Sequence, residues 1–162
     1  MQKLKRVLDR ILEWVCIALF AVMIIVGTYQ IVTRYFFNAP STISEELLTY
    51  TFTWMALLAA AYVFGKRDHM RMSFVADKFS DKGQLVLSLA GEFIILLFAV
   101  FVLGYGGISI TQLTATQQSA SLSVPMGYIY SVLPICGLFT LIYNIINISD
   151  LCLKFKELSK SQ

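Results

Sequence analysis

Four long apolar segments constrain this chain most strongly, because each is long enough to cross a bilayer as one helix. They cover residues 11–33, 46–64, 85–113 and 126–148. A bilayer-crossing helix needs about 20 mostly apolar residues. Only 14% of the 162 residues are charged, whereas a soluble domain carries roughly 25%. The sequence therefore predicts an all-α integral membrane protein in which residues 1–162 form a single domain with four transmembrane helices.

The basic residues are distributed unevenly over this topology. Twelve of the thirteen Lys and Arg residues lie before the first helix, between the second and third helices, or after the fourth, and only Arg34 lies on the opposite side. Cytoplasmic segments of membrane proteins carry the excess of Lys and Arg. We therefore expect the N-terminus and the C-terminus to be cytoplasmic.

The first turns of the chain have an amphipathic pattern. Charged residues occupy the other faces of this segment. The apolar residues that recur at helical spacing are Leu4, Val7, Leu8, Ile11 and Leu12. Such a pattern is typical of a basic amphipathic helix that lies at the inner membrane surface. The alternative is a simple helical extension of the first transmembrane helix.

Charged residues meet at the outer link between the first two helices. Thr42 followed by Glu45 has the spacing of a capping box at the start of the second helix. Arg34 departs from the positive-inside pattern, so we expect it to pair with Glu45 or Glu46 and close this corner. The alternative is an Arg34 in the headgroup region without a fixed partner. Pro125 is expected close to the first turn of the fourth helix.

Glu92 is the only acidic residue well inside an apolar segment. Acidic residues within a membrane are costly and often functional, so ion or proton coupling is one interpretation. Glu92 follows Gln84 by eight residues, which is roughly 12 Å of helix rise. A long tilted helix would bring it close to the inner interface, and we favour a structural pairing there.

The remaining candidates have structural interpretations. Trp54 and Tyr62 are expected to pack between helices or to anchor the chain at the membrane interface. His69 is the only histidine and stands in a charged segment. We interpret it as a polar loop residue, and the alternative is a pH switch.

The chain lacks the motifs of an enzyme or an ATPase. It contains no G-x-x-x-x-G-K-[ST], no H-E-x-x-H and no C-x-x-C, and its three cysteines are scattered at Cys16, Cys136 and Cys152. We therefore expect no catalytic residue, no cofactor and no metal. The basic segments are explained by anionic membrane lipids, without nucleic acid.

Several segments together resemble a known family. They are Gln30-Ile31-Val32-Thr33-Arg34-Tyr35-Phe36-Phe37-Asn38, Ser44-Glu45-Glu46-Leu47, Tyr50, Trp54, Ala59-Ala60-Ala61-Tyr62, His69, Leu122-Ser123-Val124-Pro125 and Leu133-Pro134. This pattern resembles the small membrane subunit, of DctQ type, of the tripartite ATP-independent periplasmic (TRAP) transporters. Ile43 stands where that family often has Trp before Ser-Glu-Glu, so no contact of that Trp is carried over.

The resemblance implies a role in transport across a bacterial inner membrane. A small subunit of this family joins a large membrane subunit, and a periplasmic substrate-binding protein delivers the substrate. The resemblance implies a fixed scaffold for sodium-coupled uptake of a carboxylate substrate such as sialic acid or a C4-dicarboxylate. With the residue patterns above, the candidate structural or partner-contact residues are Arg34, Glu45, Glu46, Trp54, Tyr62, His69, Glu92 and Pro125.

Two other functions are compatible with a small four-helix membrane protein. The first is a self-contained ion-coupled carrier that uses Glu92. The second is a membrane oxidoreductase of four-helix type, which needs paired cysteines or pairs of axial ligands. One histidine and three scattered cysteines argue against the oxidoreductase.

Overall fold

The computed structural model describes residues 2–66 and 81–160 of the chain. Its helices form four spans, each long and apolar enough to cross a membrane, in this part of the chain. The elements are α1 (Gln2–Tyr35), α2 (Thr42–Lys66), α3 (Asp81–Leu97), a π-helical segment (Phe98–Gly106), α4 (Gly107–Leu113), α5 (Met126–Tyr130) and α6 (Val132–Lys160). The third span consists of α3, the π-helical segment and α4, and the fourth consists of α5 and α6. The predicted four-helix architecture is confirmed.

The first span is one continuous helix of 34 residues. Its length is about 51 Å, whereas the hydrocarbon core of a bilayer is about 30 Å thick. The 20 residues 14–33 carry no charge and are sufficient for the crossing. Of the two alternatives for the first turns, the structure contains the helical extension, because the charged residues before Trp14 belong to the same helix as the uncharged part.

The start of α2 differs from the predicted capping box. The helix already begins at Thr42, and the backbone N–H of Ser44 donates to Ser41 Oγ over 3.4 Å. Ser41 therefore occupies the cap position, and the prediction of Thr42 as the cap is wrong by one residue. Serine and threonine both cap helices well, and the Ser41 hydroxyl is the one within reach of a free N–H.

The third and fourth spans approach each other closely through glycines. A Cβ atom on Gly107 would lie 3.0 Å from Leu133 and Pro134, and one on Gly137 would lie 2.9 Å from Leu103 Cβ. Such distances leave no room for a side chain. Gly107 of the third span and Gly137 of the fourth therefore allow the two spans to approach closely.

The fourth span is divided between α5 and α6 at Ser131. Pro134 lies one turn further on and has no N–H to donate to the carbonyl of Tyr130. The interruption is local, because Ser131 N donates to Gly127 O and Ile135 N donates to Ser131 O. The span therefore continues past its proline.

The core is built around α6, which packs against α2 and against the third span, while α1 packs on α2. One buried cluster contains Leu12, Leu58, Val132 and Tyr143. A second cluster contains Ala61, Leu103 and Cys136. Helix α6 thus supplies buried residues to both clusters.

The beginning of α1 and the α6 segment around residue 145 lie at the same end of the bundle. Lys5 Nζ donates to Asn147 Oδ1 over 3.3 Å, and the Tyr143 hydroxyl donates to Asp9 Oδ1 over 2.6 Å. We call this the terminal end. The opposite end carries the α1–α2 link (residues 36–41) and the α4–α5 link (residues 114–125), and we call it the link end.

Candidate functional site

The carboxylate of Glu46 organises the link end. It lies in the first turns of α2 and accepts three hydrogen bonds from consecutive backbone N–H groups of the α4–α5 link: Ala120 to Oε1 (3.2 Å), and Ser121 and Leu122 to Oε2 (2.8 Å each). The Tyr50 hydroxyl donates to Oε1 over 2.5 Å. Consecutive N–H groups that converge in this way form a concave anion-binding nest. We call Glu46, Tyr50 and these three amides the Glu46 clamp.

The link that Glu46 holds is itself a compact turn. Ser119 N donates to Val124 O over 2.9 Å, and Val124 N donates to Ser119 Oγ over 3.3 Å. Ser123 has a positive φ of 52°, which lets the chain reverse. Pro125 occupies the N-cap position of α5, next to the first turn as expected. The α4–α5 link therefore has a defined shape, fixed from inside by its turn and from α2 by the carboxylate.

Arg34 pairs with the other carboxylate of the predicted corner. Arg34 Nη1 lies 3.5 Å from Glu45 Oε1, and the two side chains are 55% and 49% exposed. Of the two alternative pairings, the structure contains Arg34–Glu45, because Glu46 is directed to the α4–α5 link. An ion pair this exposed contributes about 0–1 kcal/mol. Two neighbouring acidic residues thus have different roles.

Trp54 ties α2 to the fourth span. Its indole Nε1 donates to the carbonyl of Ile129 over 3.1 Å, and its ring packs against the buried cluster around Tyr143. The acceptor lies in the short helix α5, just before the interruption at Ser131. Trp54 is therefore a partly buried residue that packs between helices.

Glu92 lies in a buried polar network towards the terminal end. Its side chain is 9% exposed. The Asn144 amide donates to the Glu92 carbonyl over 2.8 Å and to Glu92 Oε2 over 2.7 Å. Tyr143, the neighbour of Asn144, reaches Asp9 in the charged turns of α1. Glu92 is therefore at a depth close to that of Asp9 and away from the middle of the span.

Two asparagines of α6 were not among the predicted site residues. Asn144 and Asn147 are each 2% exposed, and Asn147 donates to the carbonyl of Phe64 over 3.4 Å while accepting from Lys5. A signal was present in the sequence, because residues three apart in a helix share one face. Two amides on one face of an apolar helix indicate buried hydrogen bonds.

Tyr62 belongs to the terminal end of α2. The Lys66 ammonium group lies 4.4 Å from the centroid of the Tyr62 ring, within the range of a cation–π interaction. Tyr62 also packs against the cluster that contains Leu12 and Tyr143. His69 lies outside the described residues. Within residues 2–66 and 81–160, no group of three or more His, Cys, Asp or Glu side chains could hold a metal ion.

Comparison with known proteins decides the family. Residues 23–153 match the family described as "Tripartite ATP-independent periplasmic transporters, DctQ component". This chain belongs to the DctQ family. The matched range includes both carboxylates of the link end, the α4–α5 link that one of them holds, and the buried polar network.

Individual relatives of the DctQ chain agree with this assignment. The sialic acid TRAP transporter small permease protein SiaQ of Vibrio cholerae is 31% identical over 141 residues, which cover 86% of this chain and 80% of that protein. A putative TRAP transporter small permease protein of Haemophilus influenzae is 28% identical over 138 residues, covering 85% of each chain. A second such protein from the same organism is 23% identical over 128 residues, or 79% and 77% of the two chains.

Membership of the DctQ family and the four spans together define the class of protein. The chain is a multi-pass protein of the bacterial inner membrane and a small permease component of a TRAP transporter. Components of this kind belong to transport machinery.

Proposed function

We propose that this DctQ chain forms, with a large TRAP membrane subunit, the fixed scaffold of a sodium-coupled transporter. The complex would take up a carboxylate substrate, such as sialic acid or a C4-dicarboxylate, that a periplasmic binding protein delivers. The scaffold role rests on one observation. The carboxylate of Glu92 and the indole N–H of Trp54 hydrogen-bond inside the bundle, whereas large apolar side chains face outward.

The internal use of polar groups is clearest at Glu92. Its carboxylate and its carbonyl both accept hydrogen bonds from Asn144, and Trp54 donates to a backbone carbonyl of the neighbouring span. A carrier that binds an ion or substrate itself usually has polar groups or broken helices near the middle of the membrane. The Glu92 network lies towards the terminal end, which favours a structural role.

The outward surface suits contact with apolar partners. Exposed side chains occur along α1 and the third span, for example Ile25 (69%), Phe101 (63%) and Tyr105 (76%). In a membrane such faces are covered by lipid or by another membrane subunit. A static wall of this kind needs apolar area and firm packing, and the glycine contacts between the third and fourth spans provide the packing.

The distribution of basic residues supports an orientation with cytoplasmic termini. The link end, with its Glu46 clamp, would then face the periplasm. A shaped and uncharged loop on that side is accessible to the binding protein. We infer that the α4–α5 link contributes to docking of the binding protein.

Reconstitution tests the scaffold proposal. The chain is co-expressed with the large membrane protein that it assembles with, and the complex is purified in mild detergent. We expect co-purification, uptake by liposomes that contain both subunits together with the binding protein, and no uptake by liposomes that contain the small chain alone. Uptake by the small chain alone that is abolished by Glu92→Gln would overturn the proposal in favour of the self-contained carrier.

Cysteine labelling tests the orientation. The three native cysteines are replaced by Ser, and a single cysteine is placed at Ser123 or at Lys3. A membrane-impermeant maleimide added to intact spheroplasts should label the Ser123→Cys variant and leave the Lys3→Cys variant unlabelled until the membrane is permeabilised. The reverse pattern would contradict the proposed orientation.

A further inference from the structure

An open groove of about 590 Å³ lies at the terminal end, between the first turns of α1 and the last turn of α2. Four of its lining residues are basic and two are acidic, which leaves a positive excess. The basic residues are Lys3, Arg6, Arg10 and Lys66. We propose that this groove binds the headgroup of an anionic phospholipid.

The free cations of the groove are on one face of α1. Lys3, Arg6 and Arg10 are three and four residues apart, so they form a row along the helix. All three are exposed. Within the described residues, the structure gives none of them a hydrogen bond or an ion pair. The row is therefore available to an external anion.

The acidic residues of the groove are partly engaged elsewhere. Asp9 accepts the hydrogen bond of the buried Tyr143 hydroxyl, which draws its carboxylate towards α6. Lys66 is held over the Tyr62 ring and faces the groove from α2. Glu13 is the other acid in the lining. The net attraction of the groove is consequently for negative charge.

The depth of the groove matches the headgroup layer. The uncharged part of α1 begins at Trp14, one residue after Glu13, and continues for a full bilayer crossing. Trp14 is 66% exposed, as is typical of indoles at the membrane interface. The charged lining of the groove thus begins where the hydrocarbon ends.

The groove is also amphipathic, which favours a lipid over a small anion. Val7 and Ile11 line it on the face of α1 beside the cations, and they are 55% and 48% exposed. A phospholipid would place its phosphate against Arg6 and Arg10 and its glycerol and first acyl carbons against these side chains. Arg binds phosphate through paired N–H groups. A zwitterionic lipid would leave the positive excess without compensation.

Lipid retention by the purified full-length chain tests the proposal. The chain is titrated with phosphatidylglycerol or phosphatidylcholine in mixed micelles, and bound lipid is measured by native mass spectrometry. We expect a preference for phosphatidylglycerol. In the Arg6→Gln/Arg10→Gln variant its affinity should fall on the order of tenfold or more, because each basic residue near the surface contributes to binding.

Matched variants separate a site from general electrostatics. Lys5→Gln removes one charge from the same turns outside the groove lining, and we expect a change of less than about threefold because the Lys5 ammonium group is directed to Asn147 on α6. The Arg6→Lys/Arg10→Lys variant keeps the charge and should keep the lipid preference. Circular dichroism of each variant without added lipid checks that the helices are retained.

Three results would overturn the proposal. The first is equal binding of the two lipids by the unmodified chain. The second is an equal loss of phosphatidylglycerol affinity in Lys5→Gln and in the double Gln variant. The third is full competition by millimolar inorganic phosphate, which would indicate a small-anion site. None of these measurements depends on the transported substrate or on the large subunit.

Discussion

Replacing Gly65 by alanine is the perturbation whose cost can be worked most directly from the structure. Gly65 is buried in the last turn of α2 against the fourth span. A Cβ atom there would lie 2.6 Å from Tyr143 Cδ1, 2.7 Å from Cε1 and 2.8 Å from Cγ. Ordinary contact begins near 3.4 Å. The ring or the helix would therefore have to move by about 0.8 Å.

Tyr143 cannot yield at low cost. Its side chain is fully buried, and its hydroxyl is held by Asp9. Overpacking a well-filled core costs about 1–3 kcal/mol. For a chain of this length each kcal/mol lowers the midpoint of thermal unfolding by roughly 2–4 °C. We expect Gly65→Ala to lower the midpoint by about 2–12 °C.

The assay is thermal unfolding of the purified chain in one detergent, and Gly91→Ala is the control. A Cβ atom at Gly91 has no neighbour within 4 Å, so this substitution should leave the midpoint unchanged or raise it slightly. In a Tyr143→Leu background, Gly65→Ala should cost less than half as much, because the clash partner is gone. Equal midpoints for Gly65→Ala and Gly91→Ala would refute the reasoning.

Three further predictions concern the charged residues. Glu46→Gln should accelerate hydrogen exchange of the backbone amides in the α4–α5 link, because the NH₂ group of Gln cannot accept the hydrogen bonds that one carboxylate oxygen accepts. Glu45→Gln should leave the exchange unchanged. Equal exchange in both variants would count against the clamp. Glu45→Gln should change the free energy of unfolding by less than about 1 kcal/mol, as should loss of its partner Arg34; a larger change in thermal unfolding would indicate a buried pair. Glu92→Gln should retain uptake by the assembled transporter. Glu92→Leu removes a hydrogen-bond acceptor from Asn144 and should destabilise the chain by about 1–3 kcal/mol in the same unfolding assay. Loss of uptake in a stable Glu92→Gln variant would instead indicate a coupling role.

Local patterns predict the spans well because a bilayer imposes a length and a composition on each helix. Long apolar runs therefore mark all four spans before any tertiary contact is known. Their ends are less predictable. The sequence of the charged turns before Trp14 is also compatible with a separate surface helix. In the structure these turns continue α1, and Lys5 and Asp9 in them contact α6.

The candidate site depends on contacts between distant residues, and these are harder to predict. Glu45 and Glu46 are equivalent in the sequence, and only the position of the α4–α5 link distinguishes them. The hydrogen bonds that join Glu46 to the link connect residues more than 70 positions apart. They also go to backbone N–H groups, which every residue except proline carries. No side-chain pattern in the link could have indicated them.

The way Glu46 holds the α4–α5 link has a consequence for how its surface can change. The anchoring groups are main-chain amides, so the side chains that the link exposes, such as those of Gln117 and Gln118, take no part in its attachment to α2. Substitutions at these positions can alter the chemistry presented at the link end while its contour stays the same. Complementarity to a different partner could thus be acquired one residue at a time, without cost to the folding of the bundle.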